Sequence, residues 1–134
     1  MNKNIEKVKK HLLPQLKNLD EIVISHQITD KSIQPEDINE LKKYHKNIKY
    51  SYMYDKWLSK NRNNALKLSE ADICIITDDD LDYLPWFEKI IKEWYKKFKD
   101  ADIITFQALD KNWKFKFKVK EGKHSLFSIC KISS

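Results

Sequence analysis

From Ile5 to Phe98 the apolar residues switch repeatedly between helical and strand spacing, and this alternation restricts the chain to an α/β arrangement before any motif is read. Ile5, Val8, Leu12, Leu13 and Leu16 recur at helical spacing with lysines between them. They predict an amphipathic helix over about residues 3–18, which Pro14 is expected to kink or shorten. Glu21-Ile22-Val23-Ile24-Ser25 is a short β-branched strand run, and the polar stretch His26 to Pro35 predicts a loop, with Asp30 and Ser32 at a turn. The segment Pro35 to His45 predicts a helix with proline in its first turn, and Ile48 to Met53 alternates as a strand. A third helix is predicted over about residues 59–70 with Ser59 as its cap, then a strand from Ala71 to Thr77. Pro85 opens a helix to Lys99 whose apolar face is Phe87, Ile90, Ile91, Trp94, Tyr95 and Phe98.

After Ala101 strand follows strand: Asp102 to Leu109, the strict alternation Lys114-Phe115-Lys116-Phe117-Lys118-Val119, and Leu126 to Ile132. The expected architecture is a Rossmann-like, mostly parallel sheet flanked by helices, with additional antiparallel strands near the C-terminus. At 134 residues the chain has the size of one domain, and 41% hydrophobic with 12% aromatic residues is a globular composition. Cys74 and Cys130 lie apart in apolar segments and read as buried, reduced thiols. No apolar stretch approaches the roughly 20 residues that cross a bilayer, and the polar start lacks a secretory apolar region, so a cytoplasmic location is the default. The net charge of +6 suits an anionic ligand without specifying one.

Three consecutive aspartates, Asp78, Asp79 and Asp80, follow the apolar run Ile73 to Thr77. Adjacent like charges cannot all be buried unpaired, so the triplet is either a solvated turn or a cluster around a cation. Ligands of parallel α/β sheets bind beyond the carboxyl ends of the strands, where the triplet is expected to emerge. The only glycine is Gly122, which excludes both the Gly-x-Gly-x-x-Gly dinucleotide loop and the phosphate-cradling P-loop. The route left for holding a nucleotide is a divalent cation on aspartate oxygens that bridges phosphates.

The ordered set Leu58-Ser59-Lys60-Asn61-Arg62-Asn63-Asn64-Ala65, then Glu70-Ala71-Asp72, a strand run and Asp78-Asp79-Asp80 resembles the central stretch of family 2 glycosyltransferases with the A-type fold. That family shows a Ser/Ala-Arg-Asn helix start, an Ala-Gly-Asp approach and an Asp-x-Asp end. Glu21 to Ile24 leading to Thr29-Asp30 is similar to its second strand and following loop, and the likeness extends over about residues 5–107. The resemblance implies that Asp80 ligates Mn²⁺ or Mg²⁺ together with Asp78, while Asp78 or Asp79 faces the ribose or metal-bound water. It implies that Arg62 serves a nucleotide diphosphate, for which a permanently charged guanidinium is suited. The plain alternative for Arg62 is a surface ion pair with Glu70 or Asp72, and for Asn63 a helix cap in place of a nucleotide contact.

Where the family has acidic residues after its second strand, often to hold the base, this chain has Ser25, His26 and Gln27. Ser25 and Gln27 can still hydrogen-bond a base edge, and His26 reads as a loop histidine. Trp57 stands where the family commonly has glycine. The family's first strand is expected to be missing here, which would leave a sheet edge open to pairing and favour a homo-oligomer. No acidic residue is singled out as the catalytic base; Asp110 and Glu121 read as turn residues. The implied reaction is transfer of a sugar from a nucleoside-diphosphate sugar to a hydroxyl acceptor, inverting by family habit, with donor binding or slow hydrolysis as the limit without that base. Two other readings stay open. One is a metal-dependent phosphoryl-transfer enzyme at Asp78 to Asp80; the other is a noncatalytic basic module using Trp113, Phe115, Phe117 and their interleaved lysines.

Overall fold

The structure, a computed structural model, describes residues 4–54, 56–79, 81–106, 112 and 114. Helix α1 (Asn4–Lys7) runs on through a π turn (Val8–Leu12) and a 3₁₀ turn (Leu13–Gln15). Proline explains the sequence of spacings. Pro14 has no N–H for the carbonyl four residues back and clashes with it, so the ladder widens before the ring and tightens after it. The helical path therefore ends at Gln15, short of the predicted residue 18.

Strand β1 (Ile22–Gln27), helix α2 (Ile38–Lys42) and strand β2 (Ile48–Met53) form a parallel crossover unit, with Ile22 opposite Ile48 and Gln27 opposite Met53. The β2 boundaries are those predicted. β1 runs two residues further than expected, through His26 and Gln27, because backbone pairing to Tyr52 and Met53 does not depend on side-chain polarity. His26 is thus a buried strand residue, and not the loop histidine its polar neighbours indicated. α2 is shorter than predicted: Asp37 is its cap, accepting the Asn39 N–H at 2.9 Å, so Pro35 lies before the helix. Asp30 makes the expected turn, accepting from the Ser32 N–H at 2.9 Å.

Side chains alternate across the β1/β2 pair, and the two faces differ. Ile22, Ile24, Ile48 and Tyr50 occupy one face and join Leu12, Leu13, Leu16 and Leu41 in the core, with Val8, Tyr83 and Phe87 packed against it. Leu41 is fully buried. The other face carries Ser25, Gln27, Lys49 and Ser51 together with Val23 and Met53, and is mostly polar.

Helix α3 (Leu58–Leu68) follows β2. Its N-cap is Trp57, which makes no side-chain cap bond, so Ser59 lies inside the helix and Asn63 sits near its middle, away from any cap. The predicted strand over Ala71 to Thr77 does not form: Ile75 and Ile76 are exposed, and the sheet described contains β1 and β2 alone. A short apolar run is extended or paired according to whether a partner edge is at hand, which its composition cannot reveal. Cys74 is correspondingly exposed and not buried, with its Sγ 3.3 Å from the Ser69 hydroxyl and 3.6 Å from the Ala71 carbonyl. Cys130 lies outside the described residues.

Helix α4 (Phe87–Lys97) begins two residues after Pro85 and ends before Lys99. The chain divides into two units, Met1–Phe87 and Glu88–Ser134. In the second, Trp94 stacks on Phe98 with ring centroids 5.4 Å apart, Phe106 meets Trp94 edge-on, and the Lys97 ammonium lies 4.6 Å from the Trp94 ring. Residues 102–106 are not in a strand, and the rest of that predicted strand, like the antiparallel runs after it, lies outside the described residues. Among the described residues no helix is long and apolar enough to cross a membrane.

Candidate functional site

Asn61, Asn64, Ala65 and Leu68, at the i, i+3, i+4, i+7 spacing of a helix face, are the partly buried stripe of α3. This stripe meets the polar face of the sheet. The Ser25 hydroxyl donates to Asn61 Oδ1 at 2.7 Å, and the Asn64 amide donates to Ser25 Oγ at 2.8 Å and to Ser51 Oγ at 3.1 Å. Ser25 and Ser51 are directly opposite in the β1/β2 register. The far end of α3 is tied down separately. Lys49 Nζ reaches the Leu68 carbonyl at 3.0 Å and pairs with Glu21 at 2.7 Å and Glu70 at 3.1 Å, while Glu21 accepts from the Ser69 hydroxyl and the Glu70 N–H. The Lys49 hydrogen bond, outweighing desolvation, holds the Glu21 carboxyl below the usual carboxylate range.

Arg62, beside Asn61 on the outward side of the stripe, pairs with Asp78 at 3.0 Å. The helix start and the aspartate cluster, 16 positions apart, therefore meet in space. The partner is neither Glu70 nor Asp72, the two carboxylates nearest in sequence to the end of α3; Glu70 is taken by Lys49. Both members are substantially exposed, at 43% and 60%, so the pair adds little stability and opens at small cost.

The aspartates are carried by an extended segment and its turn rather than by a paired strand. Thr77 donates to the Asp78 carbonyl at 3.0 Å and its side chain interacts with the Tyr83 phenol, so these two residues bracket the cluster in sequence. Burial pushes the Tyr83 phenol up from its ordinary range, and the nearby Asp78 charge adds to this. Gln15 fixes the far side by accepting the Tyr83 N–H at 2.8 Å, and His11 Nε2 lies 2.8 Å from Asp82. Asp79 Oδ2 is buried with no hydrogen-bond partner. Asp80 lies outside the described residues. Among the described residues no group of three or more His, Cys, Asp or Glu side chains is arranged to hold a metal ion.

Of the remaining sequence candidates, Ser25 has its proton committed to Asn61, Gln27 is buried, and Asn63 is exposed on α3. His26 is 8% exposed; its Nδ1 lies 2.9 Å from the Tyr50 hydroxyl, which accepts the Glu36 N–H at 3.0 Å, and its Nε2 is buried without a partner. Burial pushes the His26 imidazole down, favouring its neutral form. Asn61, Asn64 and Ser51 were not legible as site-building residues. The signal was present: two asparagines three apart on a helix face, and serines at equal depth in paired strands. Trp113, Phe115, Phe117, Asp110 and Glu121 lie outside the described residues.

A parallel crossover unit, with a basic helix start and a carboxylate turn brought together, describes an α/β protein. The family described as glycosyl transferase family 2 matches residues 2–131. The chain belongs to that family, and a transferase function of the glycosyltransferase kind is what the membership supports. Searches of curated proteins and of solved structures gave no match.

Proposed function

We propose that the protein binds a nucleoside-diphosphate sugar beside the start of α3 and transfers the sugar, with inversion, to a hydroxyl of a glycan, lipid or protein acceptor. The observation that carries this reading is the Arg62–Asp78 pair in a chain of this family. Arg62 offers fixed, forked N–H donors that suit phosphate oxygens, and because its present pairing is weak a diphosphate can take Asp78's place. Asp78 is then released toward the ribose or a cation. Asn63, next to Arg62 and exposed, is within the same turn and supplies an amide to the nucleotide. Ser25 keeps a lone pair for the base edge, and Gln27, two residues further along the same sheet face, is the second residue proposed to contact it.

Mn²⁺ or Mg²⁺ fits the donor chemistry of the aspartate cluster, which is all hard oxygen, and the partnerless buried Asp79 Oδ2 supports a missing positive group beside it. Asp80 and Asp78 would hold the cation. When bound it supplies positive charge against the diphosphate leaving group. Arg62 works in the same direction, since charge on that group grows as the glycosidic bond breaks and the guanidinium is already oriented. No described residue is assigned as the base that deprotonates the acceptor, so donor binding and slow donor hydrolysis are the activities proposed for these residues acting alone.

Calorimetric titration with uridine, guanosine and thymidine diphosphates, each with and without Mn²⁺, tests the reading. At least one is expected to bind in a Mn²⁺-dependent way, and Asp80→Ala is expected to remove that dependence. Absence of binding to all three, or binding unchanged in Asp80→Ala, contradicts it.

A further inference from the structure

We propose that Ser25, Ser51, Asn61 and Asn64 are positioning residues that set the rotation of α3 and thereby aim Arg62 at the diphosphate position beside Asp78. The inference rests on the nucleotide-site reading above and assigns Ser25 a different task in it.

Apolar burial does not fix this helix. α3 has no buried residue, and Leu58 and Leu66 point outward at 49% and 41% exposure. An amphipathic helix is normally held in rotation by its apolar stripe, but the stripe here is half amide: Asn61 and Asn64 alongside Ala65 and Leu68. Hydrogen bonds, being directional, take over what packing leaves undecided. The Asn64 amide has two protons, and they go to two hydroxyls on different strands, Ser25 at 2.8 Å and Ser51 at 3.1 Å. Because those serines are register partners, Asn64 sits astride the strand pair and has one satisfied orientation. Asn61 adds a third bond one position before Arg62, by accepting the Ser25 proton at 2.7 Å.

Consecutive helix positions are about 100° apart, so exchanging the stripe for the next one would turn Arg62 well away from Asp78. The last turn is held independently, by Lys49 on the Leu68 carbonyl and by Glu21 on Ser69 and Glu70. That anchor limits where α3 lies. The serine–asparagine bonds decide which way its first turns face. Ser25 is thereby excluded as a hydrogen-bond donor to a base, since its only proton is used within the network.

The experiment measures binding of Mn²⁺ with a nucleoside diphosphate, and of the matching nucleoside without phosphate, to the full chain. It uses Asn64→Ala and Ser51→Ala in both the Arg62 and the Arg62→Ala backgrounds. Each variant is expected to weaken diphosphate binding, Asn64→Ala by roughly tenfold as a charge-assisted contact is misplaced, and to leave nucleoside binding unchanged. In the Arg62→Ala background neither is expected to cost anything further, which is the coupling a positioning role requires. Equal losses for nucleoside and diphosphate, or losses that add to that of Arg62→Ala, overturn the proposal. Ser51→Ala removes one of the three bonds and keeps the test usable if Asn64→Ala does not fold, with the melting midpoint recorded for each protein. A wild-type chain that binds no nucleoside diphosphate overturns the site reading and this inference together; one that binds without coupling overturns this inference alone.

Discussion

A serine hydroxyl has one proton to give, and at Ser25 it goes to Asn61 rather than to solvent. At the scale of single residues, the chemistry of this protein is mostly a matter of which polar atoms are already spoken for. Asp78 is paired but exposed, Asp79 keeps one buried oxygen without a partner, and His26 keeps a buried ring nitrogen without one. His26 yields a pH prediction. Burial holds its folded-state pKa below the ordinary value of 6.5, so the unfolded chain takes up a proton first as pH falls, and Glu36 only partly opposes this. Its contribution to stability is complete above pH 6.5 and is lost as pH falls from there toward the folded value. The melting midpoint is expected to drop between pH 7.5 and 5.5, and His26→Gln, which has no such titration, is expected to show a smaller drop. Equal drops in the two proteins would remove His26 from the account. Trp86 gives a second residue-scale test. It is 74% exposed and has φ of 60°, a region that costs a non-glycine residue about 1 kcal/mol or more. Trp86→Gly is expected to leave the denaturation midpoint unchanged or raise it; a clear fall would mean that the indole makes contacts worth more than the backbone relief.

Elements were legible in the sequence where their own periodicity decided them. The Ile48 to Met53 strand was bounded correctly because its alternation runs unbroken from a buried isoleucine through Tyr50 and Tyr52. The end of β1 was not, because His26 and Gln27 have turn-like composition, and only the presence of Tyr52 and Met53 alongside explains their pairing. Ala71 to Thr77 failed in the opposite direction: good strand residues, and no partner edge among the described residues. The same division holds at the site. Arg62 and the aspartates were found from their motif order, but the partner of Arg62 and the asparagines that carry α3 depend on how the helix lies across the strands. Two element-scale predictions follow from burial and bonding. Leu41→Ala, at a fully buried core position, is expected to cost about 2–5 kcal/mol in chemical denaturation. Asn64→Ala is expected to cost about 2 kcal/mol, from two hydrogen bonds at about 1 kcal/mol each. A loss in Asn64→Ala of about 4 kcal/mol or more, as in large core truncations, would indicate that α3 is part of the core, contrary to its lack of buried residues.

For the whole molecule, the net charge of +6 coexists with an acidic turn, at which Arg62 is paired with Asp78. A net positive charge favours the approach of a multiply charged anion, and in the proposed site a cation on the carboxylates would let the anion stay. The proposed nucleoside-diphosphate ligand rests on family membership taken together with the meeting of Arg62 and Asp78. The central claim is that these two motifs form one diphosphate site, and the most direct measurement is calorimetric titration of Arg62→Ala and wild-type protein with a nucleoside diphosphate in Mn²⁺, beside the nucleoside alone. The account predicts that wild type prefers the diphosphate strongly and that Arg62→Ala loses most of that preference while nucleoside affinity holds. Diphosphate affinity unchanged in Arg62→Ala would contradict it.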